Sequence, residues 1–309
     1  MGGSGGGGGR SYFPRSDQDL QRLAQDSKQE TDRQRLDSDV ANLLKVVLAS
    51  CERDPVKTSE RLDEIASVLK DKVEIERFLF GGSVAKHTYV DGLSDVDALV
   101  IVTKEDLAGK SPTEVLDSFH KSLQDKITYD KVKSVEKGRM AVTVVYRDGS
   151  EIQLLPAIRI GKNIFIPTAG ANEWKETNPK AFQRTLTAAN ERLDSTLVPT
   201  IKLMKSINGS FPEQKQLTGY HIESLSVEAV KGYRGAKTVK ALLTHILEQS
   251  SKRVLSPIQD ITGQSRIVDS YLGKAYSTER RIVADALSGV ARRLNAAKSV
   301  DEWKTVLEP

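Results

Sequence analysis

Two acids separated by one residue, Asp95 and Asp97, stand at the front of a run of mostly β-branched apolar residues, Val96–Val102. Successive side chains alternate along a strand, so the two carboxylates share one face. They repel one another unless a cation lies between them, and hard oxygen ligands of this kind suit Mg²⁺ or Mn²⁺. Upstream, Gly82-Ser83 follows another apolar run, Ile75–Phe80. A glycine lets backbone approach a phosphate closely, and the amides of a helical turn, with the Ser83 hydroxyl, can donate to phosphate oxygens. Either signal alone is weak: an isolated Asp-x-Asp also fits solvated strand-end acids, and Gly-Ser is common in loops.

The surrounding pattern shows what must hold these residues in place. Ile75–Phe80 and Val96–Val102 read as strands, with Gly82-Ser83 opening a short helical turn between them. Pro112 starts an amphipathic helix carrying Val115, Leu116, Phe119 and Leu123. Residues 129–136 and 139–146 alternate around Lys137-Gly138, and Asp148-Gly149 signals a hairpin into 151–155. Upstream, Val40, Leu43, Leu44, Val47, Leu48 and Cys51 form one stripe of a helix that Asp37 or Ser38 can cap, and a second helix begins near Ser59. Ser16–Asp19 could cap a helix too, but 25–35 offers no apolar face, so such a helix needs a support. Beyond about residue 175 the periodicity becomes helical, over 181–193, 195–207, 222–231, 239–249 and 278–295. The expected architecture is α+β, a small mixed sheet followed by a helical domain. Its expected divisions are a flexible Gly-rich tail at 1–15, a sheet core with N-terminal helices at 16–175, and a helical substrate-binding domain at 176–309.

Bulk composition narrows the function classes. Of the 309 residues 38% are hydrophobic and 28% charged, an ordinary globular balance. The net charge of +4 permits a polyanionic ligand but is too small to argue for a DNA-binding protein. Cys51 is the single cysteine, which excludes an internal disulfide and a cysteine zinc cluster and suits a reducing cytoplasm. On its apolar stripe it reads as a small buried hydrophobe. No apolar run approaches the ~20 residues of a membrane span, so no membrane association is expected. Aromatic residues are only 6%, which argues against a long RNA-stacking surface, and nucleic acid is not an expected partner.

The order strand, Gly82-Ser83, short helix, Ser94-Asp95-Val96-Asp97, apolar strand resembles the nucleotidyltransferase superfamily that includes DNA polymerase beta. The closer resemblance is to the cyclic GMP–AMP synthase and DncV-like nucleotidyltransferases of bacterial anti-phage signalling, and to oligoadenylate synthetase. Five further segments carry it over roughly 36–309: 151–157, Trp174 with Asn178-Pro179, 197–208 with Lys205, Tyr220-His221-Ile222-Glu223, and 260–263 with 269–273. The resemblance implies a metal-dependent transfer from ribonucleoside triphosphates, ATP among them, to make a cyclic product read by a downstream effector. It places Mg²⁺ or Mn²⁺ on Asp95 and Asp97, and the triphosphate tail on Gly82 and Ser83. Lys205 and Lys86 would lie near the leaving pyrophosphate, and Tyr220 beneath a base. Read without it, the lysines are equally consistent with solvated helix residues and Tyr220 with core packing.

One position departs from the family pattern. The third catalytic carboxylate is expected at 153, where this chain has Gln153. A glutamine oxygen can coordinate a metal, but it brings no charge and takes no proton. Three outcomes stay open: Glu151, two residues earlier on the same strand face, substitutes; Asp95, Asp97 and Gln153 suffice for a slow or Mn²⁺-preferring catalyst; or the chain binds nucleotide without turnover. RNA-tailing or protein-modifying activity on the same fold is a further alternative.

Overall fold

The structure, a computed structural model, describes residues 16–51, 55–70, 75–80, 82–90, 96–102, 110–127, 130–168, 173–260 and 266–307. Asp95 lies outside these, as do Ser94 and most of 260–263.

The first helix, α1 (Asp17–Ser50), runs unbroken for 34 residues. Ser16 caps it reciprocally: the Asp19 amide donates to Ser16 Oγ at 3.2 Å and the Ser16 amide donates to Asp19 Oδ2 at 3.3 Å. The caps expected at Asp37 or Ser38 are therefore not formed. Both residues lie inside α1, because no glycine or proline between 17 and 50 stops the helix. Only the second half of α1 has an inward face, where Val40, Leu44 and Val47 are buried; from 17 to 35 every residue is exposed. Cys51 is buried at its end, as expected. α2 (Pro55–Lys70) follows, burying Leu62, Ile65 and Leu69.

β1 (Ile75–Phe80), a one-turn helix α3 (Gly82–Ala85) and β2 (Val96–Val102) come next. α4 (Pro112–Lys126) starts on a Ser111–Glu114 capping box. Then follow β3 (Val132–Lys137), β4 (Val142–Tyr146), β5 (Glu151–Ile160), β6 (Asn163–Pro167) and β7 (Trp174–Thr177). Gly149, at φ +85°, makes the turn between β4 and β5. The strands form one mixed sheet in the order β1-β2-β5-β4-β3. β6 continues the β4 side of β5 and pairs in turn with β7. β2 and β5 are parallel; the other pairs are antiparallel. β6 and β7 were not expected from the sequence.

One face of the sheet packs on α2 and α4. Val96, Ala98, Val100 and Val102 of β2, with Ile152 and Leu154 of β5, join Leu62, Ile65, Leu116 and Phe119 in a single apolar cluster. Leu99, Ile101, Ala157 and Ile166 form a smaller patch on the opposite face. Arg61 of α2 clamps the β4–β5 hairpin, stacking 3.8 Å from the Tyr146 ring centroid and pairing with Asp148 at 2.8 Å.

From Pro179 the chain is helical: α5 (Pro179–Arg192), α6 (Leu197–Gly209), α7 (Gly219–Ala229), α8 (Val239–Arg253), α9 (Thr278–Ala296) and α10 (Val300–Leu307). The last was not expected. These helices share a second core to which α1 contributes Val40, Leu44 and Val47. Asp269 and Arg280 are fully buried within this half, where Arg280 Nη1 donates to Asp269 Oδ2 at 2.6 Å. Arg280 also donates to the carbonyls of Val254, Gly273 and Lys274, so its planar fork is used throughout. Among the described residues, no helix is long and apolar enough to cross a membrane.

Candidate active site

β1 runs into α3, whose first residue, Gly82, takes φ +47°. A Cβ placed there would lie 1.5 Å from Asp97 Oδ2 and 2.4 Å from its Cγ. No side chain fits, so the glycine exists to let the Asp97 carboxylate lie directly on the backbone of the turn. The apposition of an acid on β2 with the Gly-Ser turn, which the resemblance implied, is seen for Asp97. Asp95 lies outside the described residues.

The parallel register of β2 on β5 sets Asp97 opposite Gln153, and the antiparallel register of β4 sets Gln153 opposite Thr143. Paired residues in a sheet point to the same face, so Asp97 and Gln153 stand side by side. Glu151 shares that face two residues earlier on β5. Both candidates for the third position are therefore on the correct surface, with Gln153 the direct neighbour. The donors are hard oxygens, which fit Mg²⁺ or Mn²⁺. Among the described residues, which do not include Asp95, no group of three or more His, Cys, Asp or Glu is placed to hold a metal ion.

The loop after α3 folds back tightly. His87 takes φ +60°, and the Thr88 amide then donates to Ser83 O at 2.9 Å. Ser83 Oγ is buried and has no hydrogen-bond partner among the described residues. A buried, unpaired hydroxyl is costly, so this one marks a donor awaiting an acceptor.

Lys205 of α6 reaches this loop from the helical half. It is only 4% exposed, so the reading as a solvated helix residue does not hold. Its Nζ donates to Thr88 O at 2.9 Å and to Glu223 Oε1 at 2.9 Å. Burial pushes the Lys205 ammonium below its usual range, and Glu223 offsets this in part. It lies against the first turn of α7, where a Cβ on Gly219 would be in ordinary van der Waals contact with Lys205 Nζ at 3.4 Å. Lys86 also pairs with Glu223, and its Nζ lies 5.1 Å from the Tyr220 ring centroid and 5.2 Å from that of Phe182. Tyr220 meets Phe182 edge-on at 5.0 Å and donates from its hydroxyl to Asp260 Oδ1 at 2.9 Å. Gln183 of α5 donates to Ala85 O at 2.8 Å, a second tie between the helical half and the turn.

The structure thus brings together Gly82, Ser83, Lys86, Asp97, Gln153, Lys205 and Tyr220. Sequence reasoning assigned no role to Glu223, Thr88 or Phe182. Glu223 had a signal: it is an acid flanked by Ile222 and Leu225 on the buried face of α7. Burial pushes its carboxyl up, yet Lys205 and Lys86 hold it below the ordinary range. A separate cavity of about 540 Å³ between α1, α8 and α10, lined by Leu44, Lys45, Lys240 and Trp303 among others, shares no residue with this cleft.

Comparison with known proteins decides the lineage. The profile of the Second Messenger Oligonucleotide or Dinucleotide Synthetase domain matches residues 35–190. The chain belongs to this synthetase family. Its members are nucleotidyltransferases of the cyclic GMP–AMP synthase and DncV-like group, as the resemblance implied. A curated relative, a probable cyclic nucleotide synthase of Bacillus cereus strain VD146, is 21% identical over 179 residues, 48% of this chain and 54% of the relative. The chain thus spans about half the length of that curated relative. Solved synthetase-family folds match more completely. Bradyrhizobium diazoefficiens CdnG in complex with GTP aligns at TM-score 0.64 and 16% identity, over 87% of this chain and 94% of that one. E. coli CdnC in a HORMA complex aligns at 0.61 and 15%, over 84% and 93%. Vibrio cholerae DncV aligns at 0.60 and 11%, over 95% and 90%. At these identities the likeness is one of fold, and it bears out the expected nucleotidyltransferase architecture.

Proposed function

We propose that this chain joins ribonucleoside triphosphates into a cyclic di- or oligonucleotide, releasing pyrophosphate. The observation that carries this reading is the Asp97 carboxylate lying where a Gly82 side chain would be, on the turn whose Ser83 hydroxyl is buried with no hydrogen-bond partner among the described residues. Family membership and structural neighbours crystallised with GTP or ATP support nucleoside triphosphates as the substrates.

The triphosphate tail lies along the turn, with α3 amides and Ser83 Oγ donating to its oxygens. Lys205 and Lys86 face the charge that develops on the departing pyrophosphate. Tyr220 offers a ring to the base. Mg²⁺ or Mn²⁺ on Asp95 and Asp97, with the Gln153 oxygen, would supply neutralisation of the phosphates and acidify the attacking hydroxyl. That ribose oxygen forms a bond to the α-phosphorus as the bond to the β-phosphate oxygen breaks. Its proton leaves to water or Glu151, since an amide cannot accept it. A second such step closes the ring. The product would serve a downstream effector in cytoplasmic anti-phage signalling. The residue ranges 16–175 and 176–309 would supply the catalytic core and the substrate-binding helices, with the exception that α1 packs on the helices.

The test is incubation of the purified chain with the four ribonucleotides and Mg²⁺ or Mn²⁺, followed by mass spectrometry. A phosphatase-resistant, phosphodiesterase-sensitive product is expected, and Asp97→Asn should lower its rate about 10³-fold. Linear products alone, or products only with RNA present, would sink the cyclising reading.

Gln153 in register with Asp97 favours a second reading, a synthetase-fold nucleotide binder of impaired turnover. Gln153→Asp then raises pyrophosphate release by about 10²-fold; an unchanged rate argues that the amide is already sufficient.

A further inference from the structure

Glu223 is 1% exposed, and its two oxygens are shared among three donors: Lys205 Nζ, Thr88 Oγ1 and Lys86 Nζ. The lysine side chains are themselves 4% and 10% exposed. Glu223 therefore faces two ammonium groups, an excess of positive charge within this trio; the further acid acting on Lys205 is Asp97 on the turn itself, the carboxylate that a bound metal ion would claim. A purely structural pair needs one lysine, and the second adds repulsion and desolvation. The imbalance makes sense where an anion completes the group, and the buried Ser83 hydroxyl, unpaired on the turn next to Thr88, asks for the same partner.

We propose that Glu223 is a positioning residue for triphosphate capture, holding Lys86 and Lys205 together at the Gly82–Ser83 turn and leaving the pair one net positive charge for the phosphate tail. The inference rests on the proposed nucleotide reading of the cleft. The two lysines play different parts. Lys205 is fixed by Thr88 O and Glu223 at once, tying α6 and α7 to the turn. Lys86 is held by Glu223 and by the Phe182 and Tyr220 rings, and is the more exposed of the two. Glu223 thus couples the ring offered to the base with the cations offered to the phosphates.

Simple charge counting and this proposal predict opposite signs. Removing an acid beside a phosphate site should tighten ATP binding if charge alone matters. If Glu223 positions the lysines, Glu223→Gln weakens it. The measurement is calorimetric affinity for ATP and for AMP with Mg²⁺, on the full chain, alongside the melting temperature without nucleotide. Glu223→Gln is expected to weaken ATP binding by about 10- to 100-fold with AMP affinity unchanged, and Glu223→Asp to restore part of it. Lys86→Met guards against misfolding, because it leaves the balanced Lys205–Glu223 pair. It should melt no lower than the parent while weakening ATP binding by about 10-fold or more, again sparing AMP. Tighter ATP binding in Glu223→Gln, an equal loss for AMP in either variant, or unchanged ATP affinity in Lys86→Met would overturn the proposal. These affinities are read without turnover: a parent that binds ATP but forms no product would fail the synthetase reading alone. A parent that binds neither nucleotide would fail both.

Discussion

Among the described residues two carboxylates are buried in the helical half, and their surroundings differ in one respect. Asp269 meets one guanidinium, Arg280, and a neutral imidazole, so its charge is balanced. Glu223 meets two ammonium groups, so its charge is exceeded. Asp269 is also saturated from the backbone, with the Ile258 amide donating to Oδ1 at 3.1 Å. Around Asp269 the Thr218 amide donates to the Tyr271 hydroxyl, which faces His221 Nδ1 at 2.9 Å, while His221 Nε2 lies 3.4 Å from Asp269 Oδ2 with no hydrogen-bond partner among the described residues. The lesson is that burial of an acid does not by itself mark function. A carboxylate balanced by one guanidinium fixes a loop, whereas a carboxylate shared by two ammonium groups beside the Gly82–Ser83 turn suits an anionic ligand.

The contrast can be broken most forcefully at the balanced site. Arg280→Met strands a buried carboxylate and should lower unfolding free energy by about 3–5 kcal/mol in a urea titration, with ATP affinity of the folded protein unchanged. A loss of ATP affinity without a loss of stability would erase the distinction between the two sites. A smaller effect comes from His221. Burial holds its pKa down, to about 4 from an ordinary 6.5, against the pull of Asp269. As pH falls below about 6.5 the unfolded chain takes up this proton first. Stability is therefore lost between about 6.5 and about 4, at up to about 1.4 kcal/mol per pH unit. His221→Gln should flatten that part of the pH profile of stability; an unaltered slope would place the titrating group elsewhere. Smallest is Thr88→Val, which removes one donor to Glu223 and leaves the carbonyl bond to Lys205 in place. It should destabilise by about 1 kcal/mol and weaken ATP binding less than Lys86→Met does, as read by the same calorimetry.

What the sequence revealed follows the range of the interaction. β1 and β2 match their expected bounds because dense apolar, β-branched runs have few alternatives. β6 and β7 escaped because four or five residues, one strand ending in Pro167, carry little periodicity of their own. α1 was divided wrongly because Asp37 and Ser38 look like caps, while the polar stretch before them is helical without an apolar face. In the cleft, Gly82 and Asp97 were legible because spacing and strand alternation bring them close. The opposition of Gln153 to Asp97 depends on parallel register, which no local pattern encodes. The partnership of Glu223 with Lys86 and Lys205 joins two helices and the turn after α3, and becomes visible only when the halves are packed.

The helix α1 belongs to the helical core and α2 to the sheet core. The polypeptide therefore passes between the two bodies once after Cys51 and again near Asn178, so a single backbone nick at either crossing would leave them tethered by the other. Separating one body from the other would strain both connectors at once and break the ties of Lys205, Gln183 and Lys86 across the cleft.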